Sequence, residues 1–168
     1  MKLTAKEICI FAMMGALMFA SKTVMEPLPN IHPVTMLICA VTIAFGPKAI
    51  WSVAIYAFLV GFYNGFNLWW IPYVYIWLPP YLMALAIPWK KLSKKWAVPI
   101  AMVICALHGL MYGTLYAPTQ ALIFGMSFDT MIKWIIVGFP WDILHAVSNF
   151  FIGSLAVPLA LLMRKIAK

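Results

Sequence analysis

A chain of 168 residues that is 65% hydrophobic and 10% charged, with a mean hydropathy of +0.97, has too little polar surface to cover a soluble globule, because soluble domains carry about 25% charged residues. The formal net charge of +8 would suit nucleic acid, yet the basic residues fall between or beyond apolar runs, where a membrane topology puts them, so no nucleic-acid partner is expected. Cys9, Cys39 and Cys105 lie inside apolar segments without paired spacing, which gives no basis for a disulfide framework or a zinc site.

The apolar runs, such as "MLICAVTIAF" and "VPIAMVICAL", are continuous rather than alternating, so the expected fold class is an all-α integral membrane protein and not a barrel. One membrane domain over 1–168 is expected, with six transmembrane helices at roughly 7–25, 34–46, 49–66, 70–88, 97–118 and 140–163. The first begins after Lys2 and Lys6 in the manner of a signal peptide but continues through Gly15 to Met25 without a convincing cleavage site, and reads as a membrane helix. On it Ala12, Ala16 and Ala20 recur every four residues, a small-residue face for close helix packing, either inside the bundle or against another protein. Lys22 and Glu26 form either a weak exposed pair or a polar tip.

The loop "EPLPNIHP" then places Glu26, Asn30 and His32 among three stiffening prolines, either to shape a turn or to meet a ligand. The second helix is short for a bilayer that needs ~20 residues and must be partly sheltered by its neighbours or extended by its flanking loop. Asn64 and Asn67 end the third helix and lead into "LWWIPYVYIW", whose Trp70 and Tyr73 belong either to an interfacial belt or to a ring-stacking site.

On the fifth helix His108 and Tyr112 share a face, and on the last Asp142, His145 and Asn149 fall within an arc of roughly 60°. Between them, "SFDTMIKWIIVGF" offers Ser127 as an N-cap and an Asp129–Lys133 pair four apart, which predicts a short external interfacial helix near 127–138. Six helices put both termini on one side, together with the loops at Lys48 and "KKLSKK". Ten of the twelve basic residues land there, so both ends are expected to be cytoplasmic.

Ionisable groups at membrane depth are expensive, so these polar residues form the candidate substrate-binding set. No serine elbow, H-E-x-x-H or Walker loop is present, and Asp142 with His145 lacks a nucleophile, so no enzyme is expected. The alternative is a proton-coupled secondary transporter in which Asp142 and His145 relay the proton.

The length, the six helices with cytoplasmic ends, the Ala12-Ala16-Ala20 strip and the proline-rich loop before a short second helix together resemble the substrate-binding S component of an energy-coupling factor (ECF) vitamin transporter. The resemblance is one of architecture across the whole chain. It implies an S component of an ABC importer in a bacterial cytoplasmic membrane. Such a protein captures a water-soluble vitamin or precursor at the outer face and delivers it with a membrane-embedded T component and two ATPases. The strip Ala12, Ala16, Ala20 would then be the T-component contact. Lys2 stands where the nickel and cobalt members carry a histidine, so metal is not the expected cargo, and no cofactor is expected. Aromatic density suits a flat ring such as a pyrimidine, a pyridoxine-like compound or part of a cobalamin precursor; pantothenate stays open.

Overall fold

A computed structural model describes residues 2–167, and of Lys94 its backbone alone, so Lys168 and the Lys94 side chain lie outside the described residues. Among these residues every regular element is helical: α1 Ala5–Val24, α2 Val34–Phe45, α3 Ile50–Asn64, α4 Leu78–Ala86, α5 Lys94–Phe124, α6 Phe128–Gly153 and α7 Ala156–Ala167, with 3-10 turns at Gly46–Ala49 and Leu68–Val74. Four stretches are long and apolar enough to cross a membrane: α1, the run from α2 through α3, α5 and α6.

The short second helix is the centre of the molecule. It packs against α1, α3, α4, α5, α6 and α7, and ten of its twelve residues are buried. At about 18 Å it is shorter than the ~30 Å apolar layer, and it needs no lipid contact because protein surrounds it. Its two threonines are satisfied inside: Thr42 Oγ1 donates to the Ile38 carbonyl at 2.7 Å, and Thr35 bonds across to α5.

Helix α1 lies along α3 through Phe11, Met14, Gly15 and Met18, which are buried. That register leaves Ala12, Ala16 and Ala20 exposed on the other side, so the strip is not used for packing within the chain. Thr4 caps this helix: its Oγ1 accepts from the Glu7 N–H at 3.2 Å while Glu7 Oε2 accepts from the Thr4 N–H at 2.9 Å.

Four expected helices differ from the sequence reading, the first three at prolines. The helix expected over 70–88 is a 3-10 turn containing Pro72, then a bend, then α4 with Pro79 and Pro80 in its first turn, where a missing N–H costs nothing. The fifth helix runs on through Pro118 to Phe124 and stops at Gly125, whose φ of 61° is left-handed. The expected separate helix near 127–138 is instead the first half of α6, which continues through Pro140 to Gly153. One proline removes one backbone bond, and α5 packs along α6 through the longest helix contact in the fold, which holds the pair together. Ser127 does cap it, accepting from the Thr130 N–H at 3.2 Å, and Lys133 pairs with Asp129 at 2.6 Å. The helix expected over 140–163 is broken at Ser154 and Leu155 into the end of α6 and α7.

Charge sorts to one end of the bundle. Lys48 donates to Glu7 at 2.6 Å, Arg164 of α7 donates to the Ala44 and Ile43 carbonyls at the end of α2, and Lys90 and Lys91 line a cavity with Arg164. The start of α1, the Lys48 turn, the α4–α5 turn and the end of α7 therefore meet, as the charge pattern requires.

Candidate ligand-binding site

The opposite end is built where α5 and α6 approach most closely. A Cβ on Gly109 would fall 2.7 Å from the Ala146 backbone nitrogen, and one on Gly113 would fall 2.5 Å from Asp142 Oδ2. The "GLMYG" spacing thus lets two backbones touch, in the way small residues do in lipid. The approach sets His108 and Tyr112 of α5 against Asp142 and His145 of α6. Asp142 is buried, and both its carboxylate oxygens accept from the Gly113 N–H at 3.1 Å.

Trp77, buried at the bend before α4, is the hub. Its ring centroid lies 5.3 Å from His108, 5.2 Å from Tyr56, 5.7 Å from Tyr73, 5.9 Å from Tyr112 and 6.2 Å from His32. His145 closes the ring of aromatics, 5.0 Å from His32 and 5.1 Å from Tyr112. His32 reaches the cluster because its loop is fastened to α6: Asn30 Nδ2 donates to the Trp141 carbonyl at 3.2 Å, and Ser148 Oγ donates to the Asn30 carbonyl at 3.1 Å. Asn30 itself sits at a φ of 59°, a conformation asparagine tolerates.

A hydrogen-bond chain runs beneath. The Ile76 carbonyl can only accept, so His108 Nε2 donates to it at 2.8 Å and neutral Nδ1 accepts from Thr35 Oγ1 at 2.9 Å. Asn149 Nδ2 donates to Thr35 Oγ1 at 3.4 Å. The chain orients the Asn149 amide and leaves its Oδ1 free. Around it, six buried polar atoms have no partner among the described residues: Asn149 Oδ1, both His145 ring nitrogens, His32 Nδ1, Trp77 Nε1 and the Tyr56 hydroxyl. A buried polar group without a partner costs about 1–3 kcal/mol, so a cluster of six is a candidate place for a ligand or ordered water to supply the missing bonds.

Two cavities open above this cluster. One of about 210 Å³ is lined by Lys22, Glu26, Asn30, His32, Tyr73 and Tyr112. The other, of about 370 Å³, is lined by Trp69, Tyr73, Tyr112, Tyr116, Trp134 and Asp142. Tyr73 and Tyr112 are common to both and stand between them. In the second, Tyr116 stacks on Trp134 with an interplanar angle of 20° and donates to the Trp69 carbonyl, which holds the walls flat. Burial lowers the His32 imidazole to about 4, with the Lys22 ammonium acting in the same direction, so at neutral pH it is uncharged.

Of the residues singled out from sequence, the structure brings together Glu26, Asn30, His32, Tyr73, His108, Tyr112, Asp142, His145 and Asn149. Asn64, Asn67 and Trp70 stand apart. Asn64 and Asn67 are exposed and bond back into their own turn, to the Val60 and Asn64 carbonyls, while Trp70 Nε1 is taken by the Ala57 carbonyl at 2.8 Å. Sequence reasoning missed Thr35, Tyr56 and Trp77 as site members. Ser52, Tyr56 and Val60 recur every four residues and are all buried, a spacing that marks the inner face of α3. Thr35, at the start of an apolar helix, carried no comparable signal.

Among the described residues no group of three His, Cys, Asp or Glu side chains is placed to hold one metal ion. No protein-family model, no curated protein and no solved structure matches the chain.

Proposed function

We propose that this protein is the substrate-binding S component of an ECF-type importer, taking up a water-soluble, vitamin-like molecule with a flat ring. In this reading the bundle crosses the membrane six times, the second half of α6 with α7 forming the last crossing, and the basic end with both termini faces the cytoplasm. The observation that carries it is the set of six unpartnered buried polar atoms among stacked aromatics, under cavities at the end away from the basic loops. Such a site offers hydrogen bonds to ring heteroatoms and stacking to ring faces, the composition of a small-molecule pocket. The exposed Ala12, Ala16 and Ala20 supply a smooth face for the membrane-embedded T component, which two ATPases would drive.

The deciding experiment isolates the protein from membranes and identifies co-purifying small molecules by mass spectrometry, then measures uptake of the identified compound by cells with and without the T component and ATPases. ATP-dependent uptake that needs those partners supports the reading. Uptake that persists without them and collapses with the proton gradient instead assigns a proton-coupled carrier using Asp142 and His145.

A further inference from the structure

One sizeable cavity is not at the proposed substrate site. It lies at the basic end, about 520 Å³, between the last turn of α2, the end of α4 and α7, with Phe45, Leu85 and Ile87 on its apolar side and Lys90, Lys91 and Arg164 on its charged side. Trp89 stands in its wall, the indole fixed by donation from Nε1 to the Ala84 carbonyl at 2.6 Å. Arg164 sends its Nε to the Ala44 carbonyl at 3.3 Å and one terminal nitrogen to the Ile43 carbonyl. A guanidinium has five N–H groups, so others stay available to an anion. Among the described residues no acidic side chain lines the cavity.

A second cavity adjoins it and is wholly different in character. About 360 Å³ in volume, it is lined by Ile87, Trp96, Pro99, Ile100, Val103 and Ile104, and it runs along the first turns of α5. Ile87 lines both, so the cation-lined chamber and the apolar groove along α5 adjoin at this one side chain. Free phosphate would use the first alone. A molecule with an anionic head and a hydrocarbon tail uses both.

We propose that the two cavities together hold one anionic phospholipid, its phosphate among Lys90, Lys91 and Arg164 and an acyl chain in the groove along α5. Charge complementarity and the adjacency of the two cavities at Ile87 select this occupant, and basic recesses between membrane helices are suited to such headgroups. The inference stands independently of the cargo at the other end.

The test uses the full-length protein in detergent, exposed in native mass spectrometry to equal amounts of phosphatidylglycerol and phosphatidylcholine. Phosphatidylglycerol should be retained roughly 10- to 30-fold better, since each nearby lysine contributes a few-fold. Lys90→Gln with Lys91→Gln, both exposed side chains, should remove most of the preference, and Lys133→Gln at the far end should not. Ile100→Asn should weaken retention of phosphatidylglycerol without restoring phosphatidylcholine. Equal retention of the two lipids overturns the proposal, as does a preference that survives the double lysine change. Displacement of the lipid by millimolar inorganic phosphate also overturns it, by reducing the site to a phosphate pocket without a role for the groove.

Discussion

The rings of His32 and His145 lie 5.0 Å apart, one on the loop before α2 and the other on α6, and three of their four ring nitrogens are buried without a partner. An imidazole that makes no hydrogen bond in the folded chain contributes little through polarity to holding that chain together. It has most to gain from a ligand. His145→Ala should therefore weaken binding of the co-purifying compound by roughly 5- to 150-fold, the equivalent of one lost buried hydrogen-bond set. Titration calorimetry on purified protein reads this directly, and unchanged affinity would remove His145 from the site.

Thr35 makes the opposite case. It passes the hydrogen-bond chain from Asn149 to His108, and replacing it by valine keeps the shape while leaving His108 Nδ1 and Asn149 Nδ2 unpaired. Thr35→Val should destabilise the protein by about 1–3 kcal/mol, visible as a lower unfolding temperature in detergent. Binding should fall as well, because Asn149 loses the contact that orients its free oxygen. A variant as stable as the parent would show that the chain does not organise the site.

The α5–α6 contact can be opened from its centre. In Gly109→Ala the new methyl meets the His145 and Ala146 backbone, which cannot swing aside as a flexible side chain would. The helices must separate, at a cost of roughly 1–3 kcal/mol, and Tyr112 and His145 move apart with them. Both the unfolding temperature and ligand affinity should drop. Gly138→Ala, on α6 with open space around its Cβ in the larger site cavity, is the control for stability and should leave the unfolding temperature unchanged.

The parts readable in sequence were those governed by charge and by one-helix geometry. Basic residues had to gather at one end, and Asp142, His145 and Asn149 had to share a face, since 100° per residue settles that without any partner. The sheltering of α2 was one of the two readings that a span too short for lipid allows, the other being extension through its flanking loop. What was not readable depends on proline in context: Pro118 and Pro140 sit inside long helices because the α5–α6 packing offsets one missing bond, and no local rule reports that packing. Trp77 and Tyr56 were hidden for a related reason. An aromatic beside a helix end looks the same whether it faces lipid or the core, and its neighbours come from α5, α6 and the loop at His32.

pH gives an independent handle on the loop. His32 faces Lys22 and Glu26 at the end of α1, Tyr73 and Trp77 before α4, Tyr112 on α5 and His145 on α6. Its folded value of about 4 lies below the ordinary 6.5, so between these the unfolded chain binds the extra proton. Stability from this group is full above 6.5 and is lost as pH falls toward 4. The unfolding temperature should therefore drop more between pH 7.5 and 5 in the parent than in His32→Gln. The comparison separates His32 from His108 and His145, which are present in both proteins, and identical pH profiles would refute the assignment.

The exposed strip on α1 decides between a solitary protein and a component of a larger machine. Ala12, Ala16 and Ala20 touch nothing essential within the chain, whereas Gly15, one position away, packs against Ile55 of α3. A bulky residue on the strip is therefore free of internal clashes and blocks only what approaches from outside. Ala16→Trp should leave folding and ligand affinity close to the parent values and abolish uptake in cells that carry the T component and ATPases. Gly15→Trp should instead unfold the protein, since the ring would be driven into α3. Uptake that survives Ala16→Trp would mean that lipid alone covers this face, and the partner assignment would fall while the ligand site at the other face of the bundle remained.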